Sequence, residues 1–523
     1  MRRSEKRSLV AERVAWAGLA VAAVLAVLVF WLFDALPFQD LPAHAGLIAM
    51  RHRFATSAFE QRYYVLAPHI GPYSVFRFLG ETFVRFTTPI AAVRILGTLP
   101  TIALPLALLF ARRRLHGDRG PTFGYLGIAL SFGIMTLLGF ASYLLGVAVM
   151  FVGIALWLDL MVHVDDGRPE RGRELAIAGF APLLFIAHGH AFLLFLGCAV
   201  ISTLVAGRRR RRLVRLRALV PGLALAAWVA WLEHGTSTPP GSVARVRPVV
   251  FHFQGVADKL GLLFTGTLMT RLGVDLVASV LLLASAVGTG IATWRGLRGH
   301  DDASARQSKA LLASAAATMV AFLVLPHSIG WFGFVDGRLV PVATMLALLA
   351  IRPGALRRPL AVAYHYAPPV LAFAIVSIVI VASYKFQDEA RGYREVLAEV
   401  PAGARLLNLP LDPDSDVFVA HPFVHYDKLV LVDRPIVVSD IWFHQGSALY
   451  PTAANPVLRL PSGYSESNLK SIDWPAYHLE DWSHVLIRTR PDRTSPTPVL
   501  PARLQLVRHA GGWWLYRVDG DPI

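Results

Sequence analysis

Cysteine, charge and metal-ligand spacing are all scarce in this chain. Cys198 is the one cysteine among 523 residues, so no intrachain disulfide can form. It lies inside an apolar run, and no Cys/His pattern with metal-site spacing accompanies it. Charged residues make up only 16% of the chain. An ordinary soluble domain carries about 25%. No internal repeat is visible, which counts against transporter folds assembled from inverted halves. The first apolar run is too long for a signal-peptide core and no small-residue cleavage site follows it, so it reads as a retained membrane anchor. Acidic residues number 35 against 51 basic ones, for a net charge of +16. That excess does not describe a nucleic-acid surface, because the basic residues fall in short stretches between apolar runs rather than on one face. It suits anionic lipid headgroups.

What is abundant is apolar sequence, at 55% of residues. A spanning helix needs roughly 20 apolar residues. Runs that fit occur at Val14–Phe33, Val93–Ala111, Asp275–Trp294, Ala310–Leu325, Leu339–Ile351 and Leu360–Ser383, with a further run at Leu219–Leu232. Thr122–Val162 is long enough for two helices, with Gly139, Ser142 and Gly146 marking a turn. Leu175–Ala206 reads as a hairpin turning at His188-Gly189-His190. The total is about eleven crossings at membrane thickness. Arginine clusters stand at every second end of these runs: Arg2/Arg3, Arg112–Arg114, Arg168–Arg173, Arg208–Arg217, Arg295–Arg306 and Arg352–Arg358. By the positive-inside rule those ends face the cytoplasm. The amino terminus then lies inside, and the polar stretches 34–88 and 233–274 lie outside. Within the first of these, Pro72–Phe86 alternates aromatic and charged residues as an interfacial helix would.

Beyond Tyr384 the composition changes and no spanning run occurs. Glu389–Val400 has helical spacing, closed by Pro401-Ala402-Gly403. Leu406–Leu409, Lys428–Val432 and Val485–Thr489 read as short strands, and Gly511-Gly512 joins two more as a hairpin. The expected architecture is an all-α polytopic membrane domain over 1–383, with external loop 34–88, followed by a small extracytoplasmic α/β domain over 384–523.

Asp40 stands a few residues past the first run, where a carboxylate can take a proton from an acceptor hydroxyl. His44 follows four residues later, on the same face if the segment turns helical after Pro42. The plainer alternative makes Asp40 the cap of that helix. Arg94 lies inside a predicted span, which is costly unless it faces protein or water. Arg338, with Asp336 to orient it, is placed to hold a phosphate bidentately; the alternative is a headgroup-reaching arginine at a helix end. His188 and His190 would face outward, either towards a substrate or simply closing a hairpin. Lys259 and Arg271 are further cations, and His69 and His327 further histidines, at the same predicted face. Asp412–Asp416 lacks the glycine and terminal glutamate of a calcium loop and reads as an Asx-rich turn. No metal-ligand set stands out, and a divalent cation is the one cofactor left open. The aromatics of the tail, Trp442 and Trp513 among them, are mainly core candidates.

The first 120 residues resemble the GT-C superfamily of integral membrane glycosyltransferases. The likeness rests on the early Asp40 after one span, on the proline-led segment Pro72-Tyr73-Ser74-Val75-Phe76-Arg77-Phe78-Leu79, on Ala92-Val93-Arg94-Ile95-Leu96-Gly97-Thr98-Leu99 opening the second span, and on Ala111-Arg112-Arg113-Arg114-Leu115-His116-Gly117 closing it. The resemblance implies a polyprenyl-phosphate-linked sugar donor bound from the bilayer, an extracytoplasmic acceptor, and an acidic residue of the first external loop as base or acceptor-binding group. That match falls on Asp40. Arg94 and Arg338 would neutralise donor phosphate, with Asp336, His188 and His190 in support. The implied setting is a bacterial-type inner membrane, with no nucleic-acid partner. The competing expectation is a non-catalytic transporter or envelope-assembly scaffold, which would carry polar external loops of similar appearance.

Overall fold

The computed structural model describes residues 2–520, apart from segments 67–70, 166–169, 207–212, 236–240, 244–248, 353–355 and 443–448 and single positions 265, 301, 331, 357, 468, 470 and 498. His69 and Phe443 therefore lie outside the described residues. Seven described helices are long and apolar enough to cross a membrane: Val10–Leu28, Pro89–His116, Ala141–Val162, Arg215–Leu232, Val274–Gly296, Ala303–Val324 and Arg358–Ala390. Gly189–Val205 and Leu339–Leu349 are apolar but shorter. The sequence pattern predicts about eleven. Three of the expected runs, the two arms of the hairpin and 339–351, form helices that fall short of that length or apolarity, and the fourth difference is local. Residues 122–162 do not form two spans around a turn; they form Thr122–Leu130, a single turn Ile134–Leu137 and one long helix Ala141–Asp165. Gly139 does turn the chain, with φ +81°. Ser142 and Gly146 sit inside the long helix. Gly146 serves close approach instead, since a Cβ there would lie 2.5 Å from the Cβ of His188. The hairpin at His188 forms as expected, between Arg171–Ala187 and Gly189–Ala206.

The bundle closes through small residues, which let helices approach in the absence of a hydrophobic driving force between them. Gly97 faces the Phe30 ring and Gly127 faces the backbone of Pro105, each too tightly for a side chain. Part of the basic pattern is structural. Arg112 is buried, donates to the carbonyls of Leu349 and Ile351 at 3.1 and 2.5 Å, and pairs with Asp118 at 3.1 Å. It thereby satisfies the Leu349 carbonyl, one of the groups that the end of Leu339–Leu349 otherwise leaves unpaired, and fixes the chain just beyond it at Ile351.

After the last long helix the chain builds a five-stranded sheet in the order Val437–Val438, Arg405–Pro410, His484–Arg488, Trp513–Val518, Leu504–Ala510. The first three strands are parallel and the closing hairpin is antiparallel. Two expectations are corrected. The expected helix 389–400 is broken: the spanning helix runs on to Ala390, Gly392 turns at φ +88°, and only Tyr393–Ala398 follows. The expected strand Lys428–Val432 is helical, in Pro422–Leu429 and Val430–Asp433. A short apolar run does not distinguish strand from buried helix, and here Lys428 turns into a polar interior.

This sheet region is fastened to the loop that follows the first helix. Tyr64–Leu66 pairs antiparallel with Leu449–Pro451. Tyr426 Oη donates to the Leu36 carbonyl at 2.9 Å. The helix Leu41–Arg53 lies against Pro422–Asp433 so closely that a Cβ on Gly46 would sit 2.7 Å from the Lys428 carbonyl oxygen. That contact brings Asp40 to His425.

Candidate active site at the Asp40 end of the bundle

Asp40 is held by backbone contacts on both sides. Gln39 and Asp40 donate their amides to the carbonyls of Leu137 and Leu138 at 2.9 and 3.2 Å. Asp40 occupies the cap position of Leu41–Arg53, but its side chain makes no capping hydrogen bond. The carboxylate is therefore not consumed by the helix start. It lies 3.6 Å from His425 Nε2. Gly139 is what allows this placement, because a Cβ there would meet the Asp40 amide nitrogen at 2.7 Å. Gly139→Ala combines that clash with a left-handed backbone, whose strain alone costs about 1–2 kcal/mol. The expected outcome is a lower thermal unfolding midpoint of the purified protein; an unchanged midpoint would contradict the placement.

Behind His425 stands a buried charged network. His425 Nδ1 is 3.4 Å from Glu466, an ion-pair contact whose geometry falls short of a hydrogen bond. Glu466 also accepts from Lys428 at 2.5 Å, Ser439 at 2.9 Å and Tyr464 at 3.2 Å. Lys428 pairs with Asp427 at 2.9 Å, and Asp427 accepts from Asn408 at 3.0 Å. Burial works against the charge on Glu466, but Lys428 and His425 outweigh it and hold the carboxyl below its usual range. Burial also opposes the charge on His425; Glu466 and Asp40 overcome it and raise the imidazole. Asp40 is pushed up by burial to about 6, against the pull of His425 and Arg338. Half-buried His44 is pushed down to about 3, chiefly by desolvation and then by His425. It is a neutral imidazole wedged between Phe76 and Trp442, with both ring centroids at 4.8 Å.

The other half of the site is a cationic group in an aromatic cage. The Arg338 guanidinium lies over Phe332, Phe140 and Tyr143, at 4.2, 4.5 and 5.3 Å. Its Nη2 donates to the Gly333 carbonyl at 3.1 Å, and its buried Nε has no hydrogen-bond partner among the described residues. Tyr143 Oη donates to the Arg338 carbonyl at 2.7 Å. His188 packs edge-on to Tyr73 and Tyr143, at 4.7 and 5.3 Å, and its Nε2 is likewise buried and unpaired among the described residues. His190 lies 5.7 Å from Tyr143 and 6.1 Å from Phe332, ring to ring. The two halves sense one another, since the Arg338 charge acts on Asp40.

Asp40, His44, Arg338, His188 and His190 thus share one end of the bundle. Arg94 and Asp336 are used elsewhere. Arg94 donates to the carbonyls of Trp31, Phe33 and Asp34, at 3.4, 2.8 and 3.2 Å, and so ties down the turn that follows the first helix. Asp336 does not orient Arg338. It accepts from Lys259 at 3.0 Å and lies 2.8 Å from His327 Nδ1. Among the described residues no group of three or more His, Cys, Asp or Glu is arranged to hold a metal. Sequence reasoning missed His425, Glu466, Lys428, Tyr73 and Tyr143. The pair Asp427-Lys428 heading an apolar run was a visible signal, because such charges are rarely buried unless paired.

No protein-family model and no curated protein matches the chain. Solved structures do. Arabinofuranosyltransferase AftD from Mycobacteria superposes with a TM-score of 0.51 at 17% identity, over 97% of this chain and 40% of that one. ArnT from Cupriavidus metallidurans, determined bound to undecaprenyl phosphate, gives a TM-score of 0.51 at 14% identity, over 97% of this chain and 98% of that one. The chain therefore spans less than half of AftD and nearly the whole of ArnT. The chain thus shares its overall fold with these two membrane enzymes, a bundle of apolar helices followed by a small sheet region, and that fold agrees with the resemblance read from the first 120 residues.

Proposed function

We propose that this protein transfers a sugar from a polyprenyl-phosphate-linked donor to an extracytoplasmic acceptor. The single observation that carries the reading is a partly exposed carboxylate, Asp40, sharing one bundle end with a caged guanidinium that has bonding capacity to spare, Arg338. Transfer requires both. Asp40 takes the acceptor hydroxyl proton as the acceptor oxygen bonds to the anomeric carbon. The bond from that carbon to the phosphate oxygen breaks, and its electron pair leaves on the lipid phosphate. Arg338 neutralises that charge, with His188 and Tyr73 beside it. A carboxylate that activates the acceptor directly, with no covalent sugar intermediate, inverts the anomeric configuration. His44, held neutral, shapes the acceptor side.

In this reading the Asp40 end and the region after residue 384 face away from the cytoplasm, in a bacterial-type inner membrane. A transporter would instead place ionisable groups near mid-span, whereas this cluster sits at one end of the bundle. The test is incubation of purified protein with undecaprenyl- and decaprenyl-phosphate pentoses and hexoses, with release of free polyprenyl phosphate read by mass spectrometry. Turnover of at least one donor is expected. No turnover together with no binding of undecaprenyl phosphate would overturn the proposal.

Arg338→Lys tests the phosphate role. A lysine is a point charge without the planar fork. Losing one charge-assisted hydrogen bond costs about 1.5 kcal/mol or more, so undecaprenyl phosphate should bind roughly tenfold more weakly. Titration by native mass spectrometry reads this directly, and unchanged affinity would remove Arg338 from the site.

A further inference from the structure

We propose that residues 249–264 form a shallow membrane-dipping element, whose occupant is the hydrocarbon of the leaflet at the Asp40 end, and that this element is the lipid-side wall of the Arg338 cage. The wall half of the claim rests on Arg338 being the donor-phosphate site; the membrane half does not.

Three features of the segment fit residence in lipid. The first is its outer surface. Val249, Val250, Phe251, Phe253, Val256 and Leu260 each leave more than half of their surface uncovered. This is not the side of a spanning helix. It is a strand and the short helix Val256–Leu262. The next long apolar helix, from Val274, also exposes large apolar side chains, Val274, Val277 and Leu281 among them. The second is the backbone. Non-helical chain can enter hydrocarbon only if its polar groups are satisfied by protein. Phe251–His252 pairs with Ser328–Ile329. The His327 amide donates to the His252 carbonyl at 2.7 Å, and the Gly330 amide to the Val250 carbonyl at 2.8 Å. The third is the charge. Lys259 turns inward and is buried, donating to the carbonyls of Phe322 and Leu325 at 2.7 and 2.9 Å and to Asp336 at 3.0 Å. No ammonium is offered to the lipid. His252 and Asp258 are exposed, which keeps the element at headgroup depth rather than mid-bilayer.

The same contacts tie this surface to Arg338. The strand partner Ser328–Ile329 turns back so that Ile329 and Phe332 bond to each other through their backbones, and the Phe332 ring covers the Arg338 guanidinium. Asp336 joins Lys259 of the dipping element to His327 at the head of that turn. Asp336 is thus a positioning residue. It latches the lipid-facing segment to the loop that ends in Arg338.

Cys198 is the chain's one cysteine and is buried, so a Cys198→Ala background allows clean site-directed labelling. Nitroxides are placed by Phe253→Cys, Val256→Cys and Leu260→Cys, with Asp492→Cys as an exposed control, in liposomes of phosphatidylcholine and phosphatidylglycerol. Collision with oxygen should exceed collision with a water-soluble nickel chelate at 253, 256 and 260, and the order should reverse at 492. Nickel-dominated collision at the first three positions would overturn the membrane half, whatever the protein catalyses. For the wall, the double variant Phe253→Asp with Val256→Asp should bind undecaprenyl phosphate roughly tenfold more weakly, the scale of losing one or two apolar contacts, while geranyl phosphate binding stays unchanged. Equal losses for the long and short chains, or none for either, would overturn the wall half.

Discussion

Asp40→Asn should lower sugar transfer by roughly 10²–10⁴-fold, the usual contribution of a positioned general base. Undecaprenyl phosphate should still bind, because the phosphate is assigned to Arg338 and the amide keeps the shape of the carboxylate. The fold should survive too, since the Asp40 side chain makes no helix-capping hydrogen bond and its backbone anchors are unaffected. Initial rates with a competent donor, set beside native mass spectrometry of the lipid complex, separate chemistry from binding. Full activity in the variant would end the assignment. The acid limb of the wild-type pH profile gives a second readout. A base must be ionised to work, and burial lifts the Asp40 carboxyl to about 6, so the rate should climb as pH rises through that value. The groups facing Asp40 are His425 and Arg338, with His44 nearby; those facing His425 are Glu466, Lys428, Asp40, Asp427, Asp440 and His44. Glu466→Gln removes one of the two anions that raise His425. His425 then loses its proton more readily, Asp40 loses a neighbouring cation, and the acid limb should move to higher pH. An unmoved limb would show that the two carboxylates are not linked through His425.

Much of this architecture was legible because bilayer physics writes long, simple patterns. Apolar runs and the arginines between them give membrane character, the hairpin at His188 and the amphipathic segment, which forms a helix over Ser74–Phe83. The exact path was less legible where sequence signals serve more than one purpose. Gly146 read as a turn because glycine also marks close approach, and only the neighbouring helix says which applies. Arg112 belongs to a basic cluster, yet it is buried and caps another helix. Asp40, His44, Arg338, His188 and His190 were visible as polar residues at predicted span ends. Their partners were not. His425, Lys428 and Glu466 lie 385, 388 and 426 residues beyond Asp40 in the chain, and nothing local signals that the contact between Gly46 and Lys428 will bring them together. Asp336 shows the opposite failure: two residues from Arg338, it seemed its natural partner, but the intervening turn aims it at Lys259 and His327.

Lys428→Met should be among the most destabilising substitutions in the chain. Lys428 is fully buried between Asp427 and Glu466. Removing one member of a buried ion group leaves the remaining charges without compensation, at a cost of roughly 3–5 kcal/mol. The defect should depend on pH in a definite direction. Burial raises the Asp427 carboxyl to about 7 even with Lys428 present. A carboxyl whose folded pKa is raised costs stability above that pKa, and the cost is relieved as pH falls through it. Glu466 behaves oppositely in the wild type: its folded pKa is depressed by Lys428, so its contribution is present at neutral pH and lost only in acid. Without the lysine, both carboxyls rise. The Lys428→Met defect should therefore be largest at alkaline pH and shrink as pH falls, with the decline starting above the wild-type Asp427 value of about 7. Adding Glu466→Gln should recover part of the loss at high pH, because one of the two stranded anions is gone. Thermal unfolding midpoints of the single and double variants across that range measure all of this. A small deficit, or one that does not vary with pH, would mean that water reaches Asp427 and Glu466 and that the network behind His425 is not sealed. His425 would then be solvated from behind and could not tune Asp40.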